Sequence, residues 1–523
     1  MKSHSGINLV EAFVQIMEEF GISEKLLSIT CDNASSNDSM INELSKLIDG
    51  FPGEVNRTRC FVHIVNLIAK SLLKQFNVPK KKADEMLSSA EKELWELAED
   101  LDLEERQTRV DELLQVDAGT DVEVDDEEGF VDEREMMSTD EREDLEKSIL
   151  PVKFVLTKLR KISYKIIHST TILLPAWKAT LTDLKLPIRM IPHNVATHWN
   201  STYDMLMFAL QYKKAVRTIV GDTHLGLEKY ELTAHEWQIA EQLRDVLHIL
   251  KDATLFFSRA TPNLATVIPT MDHIDHRLAT DSLDPKFNAA IRASLTMAKK
   301  TLNHYYDLTD SSEVYRIAMV LHPCHKLEYF KNANWETDWI NTACDLVQDE
   351  YKRSYASLEV PADDKELAIQ EVEVVSSSTQ VPNIFDVLPA LSAPQPNPER
   401  NELDRYLSTD TEHVENVFTW WLDWRDQFPR LSRMAIDYLT IPATSVAVER
   451  VFSRGHLLLS HIRNRLSAQT TRALLCLGDW SLLGLIKDTD VLKVANMADV
   501  PQEEEVADGE YEMVDGWDNI NLA

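Results

Sequence analysis

Ile441 to Trp480 reads IPATSVAVERVFSRGHLLLSHIRNRLSAQTTRALLCLGDW. Its opening turn, Pro442 to Ser445, ends in hydroxyl residues that suit the cap of a following helix. That helix carries Glu449 inside an apolar frame of Val446, Val448, Val451 and Phe452. Carboxylates are rarely enclosed unless they are paired or bind a metal. Two readings stand at this point: Glu449 is a working acid, or it pairs with an Arg such as Arg450 on a helix surface. Just upstream, Phe418-Thr-Trp420-Trp421-Leu-Asp-Trp424 and Phe428-Pro-Arg-Leu431 set aromatics at helical spacing. We read them as the seam where the C-terminal piece rejoins the fold and where two chains meet. Residues 371–400, rich in Ser, Pro and Gln, read as the linker before that piece.

Working outward, 523 residues with 44% hydrophobic content are enough for several domains with real cores. Only 13 glycines in that length argue for a mostly helical chain, since sheet-rich proteins need more turn residues. The net charge of −33 argues against a nucleic-acid partner until its distribution is considered. Glu91 to Glu146 holds 25 acids against 5 bases, and Asp499 to Asp518 adds 9 acids. The remaining body is near neutral. Five scattered cysteines suit free thiols rather than a disulfide framework. No signal peptide precedes the first helix and no run approaches a membrane span, so a soluble intracellular protein is expected.

From the first residue, Ile7, Val10, Phe13, Val14, Met17 and Phe20 fall at helical spacing, and Gly21 is placed to end that helix. Leu27, Ile29 and Cys31 share one face of a short strand that delivers Asp32 at its C-terminal end. Cys60 and His63 form a Cys-x-x-His pair. Zinc needs four ligands and no second pair lies at finger spacing, so no structural zinc is expected. Lys153, Lys158, Arg160, Lys161 and Lys165 line a predicted helix; they suit phosphate tracking or an ordinary solvated face. From about 204 to 350 amphipathic helices follow, with Trp237, Phe256, Phe257 and Tyr305 as expected core aromatics. His322-Pro-Cys-His325 reads as a loop after a buried helix.

Five blocks then recur in a familiar order: Cys31-Asp-Asn-Ala-Ser-Ser-Asn-Asp38; Arg57-Thr-Arg-Cys60-Phe-Val-His63; Asn194-Val-Ala-Thr-His198-Trp199-Asn-Ser-Thr-Tyr203; Val314 through His322-Pro-Cys-His325-Lys326; and Glu449-Arg-Val-Phe452-Ser with Arg463-Asn-Arg465-Leu466 and Leu475 to Asp479-Trp480. Together they span nearly the whole chain, which resembles hAT-superfamily transposases. The resemblance implies a mixed α/β, predominantly helical fold: a partial RNase H-like core interrupted by a large all-α insertion. The expected divisions are a partial core over 1–75, a helical insertion over 76–370 with an acidic, partly disordered segment at 91–148, the linker, a dimerisation region over 401–485 completing the core, and an acidic disordered tail over 486–523.

The same resemblance assigns site residues. Asp32 and Glu449 match the later members of a catalytic DDE triad that binds Mg²⁺ when active, with His63 auxiliary to them. Trp199 corresponds to a residue that stacks on a flipped base, and His198 stands where the family usually has Arg. Lys158, Lys161, Arg463 and Arg465 complete the expected DNA-binding set. Trp420, Trp421, Phe452, Leu466, Leu474, Leu475 and Trp480 are expected at a self-association surface. The family's first catalytic Asp lies upstream of the helix that opens this chain, and nothing here matches it. Two carboxylates leave a two-metal centre under-ligated. The expectation is therefore an N-terminally truncated or domesticated descendant of a transposable element, nuclear, retaining dimerisation and lacking catalysis. DNA is retained as a partner, weakened by loss of the usual upstream DNA-binding domain; a membrane and a small-molecule substrate are not implied. Two alternatives stand beside it: an active Mg²⁺-dependent transposase or nuclease whose N-terminus lies outside this sequence, and an acidic scaffold binding basic partners.

Overall fold

The computed structural model describes residues 6–77, 88–99, 129–130, 137–192, 199–259, 263–359, 401–446 and 468–482, with isolated positions around them. Two compact units are formed, residues 1–448 and 449–523.

The first unit opens with α1 (Gly6–Glu19), β1 (Ile29–Cys31), α2 (Ser35–Leu47), β2 (Arg57–Arg59) and α3 (Phe61–Lys74). Gly21, at φ +60°, turns the chain just beyond α1, a conformation that costs glycine nothing. β1 and β2 pair in parallel, with Ile29 opposite Arg57 and Cys31 opposite Arg59. Val10 of α1 and Met40, Ile41 and Leu44 of α2 close a small core with Ile48 and Phe51. The helix α3 is different: Phe61, Ile64, Val65, Leu67, Ile68 and Leu72 are all solvent-free. A helix that is apolar all round must be wrapped.

The wrapping comes from later elements. They are α4 (Ser89–Leu97), α5 (Thr139–His168), α6 (Leu173–Asp183), α7 (Trp199–Gln211), α8 (Lys213–Val220), α9 (Ala234–Phe257), α10 (Val267–Leu283), α11 (Ala289–Asp310), α12 (Glu313–Leu321), α13 (Glu328–Asn332) and α14 (Thr337–Glu350). The helix α3 lies against α7, α9 and α11, and one continuous core runs through all of them. Helices thus dominate around a two-stranded sheet, the mixed and mainly helical architecture expected. Of the four aromatics named in advance, Trp237, Phe257 and Tyr305 are buried, whereas Phe256 is exposed.

The chain then returns. The helices α15 (Glu402–Leu407), α16 (Val417–Asp423) and α17 (Pro429–Leu439) lead into the turn at Pro442. Across some 400 residues of sequence, the Thr30 hydroxyl donates to the Pro442 carbonyl at 2.7 Å. The Phe61 amide donates to the Ala443 carbonyl at 3.0 Å, and the Ser445 amide reaches Cys60 Sγ at 3.3 Å. One of the orphan amides at the start of α3 is therefore satisfied by the C-terminal segment. The interruption of the core by helices is visible in these three bonds. The second unit contributes α18 (Ala468–Leu482).

Candidate functional site

Asp32 stands at the C-terminal end of β1, partly buried. Its Oδ1 accepts from the Ala34 amide at 2.9 Å and from Asn37 Nδ2, which fixes an Asx turn into α2. Beside it lie two arginines, Arg57 and Arg59, that no sequence pattern singles out. The Arg57 side chain is 1% exposed; it pairs with Asp38 and with Glu54 at 3.3 Å, and its Nη2 donates to the Asp32 carbonyl at 3.2 Å. Arg59 pairs with Glu54 at 2.7 Å and donates to Asn33 Oδ1 at 3.2 Å. Buried guanidinium groups need such partners, because stripping their water costs several kcal/mol. Burial also pushes the Cys31 thiol above its usual range, with Arg57 opposing.

A short piece of the acidic segment, Gly129 and Phe130, seats on the same place. Gly129, at φ +84°, packs on Asn33 so closely that an added Cβ would lie 2.8 Å from the Asn33 carbonyl oxygen. The Tyr305 hydroxyl donates to the Gly129 carbonyl at 2.6 Å. Lys74 then covers the Phe130 ring at 4.1 Å.

Among the described residues no group of three or more His, Cys, Asp or Glu is gathered to hold a metal ion. With one Asp32 oxygen already holding two donors and two guanidinium groups alongside, the described residues by themselves do not fit a Mg²⁺ ion. Glu449, the expected second ligand, lies outside the described residues, as do His198, Phe452, Arg463, Arg465 and Leu466. His63 is on the first turn of α3 and buried, one turn beyond Cys60.

The expected DNA-facing residues sit elsewhere than a groove. Lys158 lies between the Glu231 carbonyl at 3.0 Å and the Glu236 carboxylate at 2.7 Å. Lys161, buried, pairs with Glu104 at 3.0 Å and with the Glu99 carbonyl. Arg160 Nε donates to Asn194 Oδ1 at 2.6 Å. Lys158 and Lys161 are thus turned onto acids and backbone carbonyls, and Arg160 onto an amide oxygen. Trp199 opens α7 at 2% exposure, a core side chain with no open face for a base in this conformation.

The C-terminal region divides sharply. In its first half, Trp421 is fully buried and donates Nε1 to the Leu321 carbonyl at 3.0 Å, while the Tyr406 hydroxyl donates to the Val320 carbonyl at 3.2 Å. These bonds satisfy orphan carbonyls at the end of α12. In exchange, buried Lys326 caps the end of α15, its ammonium donating to the carbonyls of Tyr406, Thr409 and Asp410 at 2.8 to 3.2 Å and to Thr409 Oγ1 at 2.6 Å. Glu402 accepts from the amides of Arg430 and Leu431 at the start of α17, where the helix dipole favours an anion. Trp420, half-buried, donates to Glu412 at 2.9 Å. In the second half, α18 exposes Leu474 at 37%, Leu477 at 52%, Trp480 at 49% and Leu482 at 70%, with Leu475 partly covered.

Three family models match parts of the chain. Residues 402–481 match the hAT family C-terminal dimerisation region, 1–53 the ZBED1 RNase-like domain and 145–246 the ZBED1 RNase-like helical domain. Over those residues the chain is similar to hAT transposase-like proteins. Among its relatives, a "Putative transcriptional regulator tpeD" of Talaromyces stipitatus is 24% identical over 90% of this chain and 48% of its own length. The "Putative AC transposase" of Zea mays is 23% identical over 91% and 51%. The "Zinc finger BED domain-containing protein RICESLEEPER 2" of Oryza sativa is 27% identical over 55% and 42%. The chain spans about half the length of these curated relatives. No described helix is long and apolar enough to cross a membrane.

Proposed function

We propose that this chain is a nuclear, hAT transposase-derived protein that associates with copies of itself through α18. The supporting observation is the exposure of Leu474, Leu477, Trp480 and Leu482 on one helix of 15 residues. Large apolar side chains grouped on a surface mark a contact site, and Trp is among the side chains that carry most of the binding energy at such contacts. The partner of stated chemistry is a second α18, since residues 402–481 match a dimerisation region. Sedimentation velocity of the chain at micromolar concentration tests the reading. A dimer or larger species is expected, and Leu474→Asp with Trp480→Asp is expected to return it to monomer. Undiminished association in that variant would sink the proposal.

A second reading, a Mg²⁺-dependent nuclease, is favoured by one observation: the Thr30 to Pro442 and Cys60 to Ser445 bonds bring the turn before Glu449 onto the strand that carries Asp32. Plasmid nicking in Mg²⁺ that disappears in Asp32→Asn supports it; an equal rate in both chains contradicts it.

A further inference from the structure

We infer that the corner between Trp335 and Trp339, where α14 begins, binds an arginine side chain carried by a basic peptide segment of a partner protein. Local backbone geometry builds one wall of this corner. The helix α13 stops at Asn334, which takes the left-handed conformation at φ +58° that Asn tolerates better than most residues. The Asn334 amide bonds the Lys331 carbonyl at 3.1 Å and the Trp335 amide the Phe330 carbonyl at 3.0 Å. This is the paired helix stop in which the residue after the turn packs back onto the last helical turn. Trp335 does so, its ring 4.8 Å from that of Phe330, which is solvent-free. The second wall is Trp339, at 84° to Trp335 with 5.8 Å between ring centroids.

Two features set this corner apart from an ordinary solvated surface. First, Trp339 is 56% exposed, more than any other described tryptophan. The helix α14 is anchored by Ala343 and Val347, both solvent-free, so packing gives no reason for an indole at 339. It also lies outside residues 402–481, and the contact surface on α18 does not absorb it. Second, the negative charge around it is uncompensated. Residues 328–350 carry six acids against Lys331 alone, and Lys331 is taken by Glu328 at 3.2 Å. Glu336 and Asp338, exposed on either side of the helix start, have no ion pair among the described residues. Glu336 fills the N-cap position without making a side-chain cap bond, where Ser, Thr, Asp or Asn would make one. The helix dipole favours acids at this end, but it accounts for no exposed indole beside them.

Aromatic faces attract cations, Trp most strongly. A guanidinium is planar and weakly hydrated, so it stacks on a ring while its N–H groups pair with a carboxylate. The same carboxylates repel phosphate. The corner is open rather than enclosed, and the acids run along the length of α14, which matches a run of basic residues better than a single small cation. The test is fluorescence anisotropy of the full chain with a labelled Arg-Gly repeat peptide, set against the same peptide with uncharged citrulline for arginine. The parent is expected to prefer the arginine peptide. Trp339→Ala is expected to keep the unfolding midpoint and weaken that binding about tenfold, and Trp339→Phe to recover part of the loss. Glu336→Gln with Asp338→Asn is expected to weaken it about threefold. Asp183→Asn with Glu228→Gln, which removes two exposed carboxylates elsewhere, is the control and should bind as the parent does. The inference is overturned if the parent binds both peptides equally or if Trp339→Ala binds the arginine peptide as the parent does. It is also overturned if the control pair weakens binding as much as the Glu336 and Asp338 pair, since net charge alone would then hold the peptide. Reduced self-association in Trp339→Ala with unchanged peptide affinity overturns it too, because a second copy would then be the occupant.

Discussion

The two halves of the region 402–481 have similar apolar content and opposite fates. Between Glu402 and Leu439, the aromatics Tyr406, Trp421, Phe428 and Tyr438 are enclosed, and the polar atoms of Tyr406 and Trp421 finish another helix. Between Ala468 and Leu482, leucines and a tryptophan face solvent. The first half packs into the core of the first unit; the second half leaves large apolar side chains exposed among the described residues. The lesson is that a dimerisation region is not uniformly an interface: which residues join chains is decided by what the chain has already buried.

The largest break in the comparison comes from truncating one tryptophan in each half. Trp421→Ala removes a fully buried indole and leaves the Leu321 carbonyl unpaired, so a loss of about 3–5 kcal/mol is expected in denaturant unfolding. Trp480→Ala is expected to leave the stability of the isolated chain within about 0.5 kcal/mol, as surface changes do, and to act on association instead. Comparable losses of chain stability in both variants would erase the distinction drawn here.

Next in size is Lys326→Met. It keeps an apolar side chain of similar length and removes the ammonium from four oxygens and from the face of the Tyr406 ring, for an expected cost of about 2–3 kcal/mol. Burial lowers the Lys326 pKa, opposed by Glu412 and Asp410. A Met variant as stable as the parent would mean that the reciprocal caps between α12 and α15 are incidental.

Smaller again is a pH effect at the same junction. Burial, with His325 beside it, depresses the His322 pKa to about 3. The unfolded chain titrates near 6.5 and so binds more protons below that pH. Stability from this group is fully present above about 6.5 and is lost as pH falls toward 3. Going from pH 7 to 5 should cost on the order of 2 kcal/mol, and His322→Asn should flatten that slope. An unchanged slope in the variant would show that other groups carry it. Gly129→Ala should cost about 1–2 kcal/mol, from the left-handed backbone and the approach to Asn33. Local loosening of 129–130 by hydrogen exchange would accompany it.

Much of the framework was legible because its signals are local. Period-two spacing of Leu27, Ile29 and Cys31 marks the strand that ends at Asp32, and the helical spacing of Val10, Phe13 and Met17 marks α1. The position of Gly21 marks where it stops. The site was less legible, because its charges are settled by contacts far away in sequence. Lys158 and Lys161 read as a stripe on a helix face, yet Glu236 and Glu104, which pair with them, stand 78 and 57 residues away. Arg57 and Arg59 sit in a three-residue strand whose burial no periodicity reveals. The resemblance makes Trp199 a stacking platform, whereas a Trp in a helical domain is more often core; in α7 it is 2% exposed.

Hydrogen exchange of the parent chain over a range of protein concentrations addresses the division within 402–481 most directly. The account predicts that amides of Glu402–Leu439 are protected to the same degree at every concentration, while those of Ala468–Leu482 gain protection as concentration rises. Protection of Ala468–Leu482 that is independent of concentration, or concentration-dependent protection of Glu402–Leu439, would contradict it.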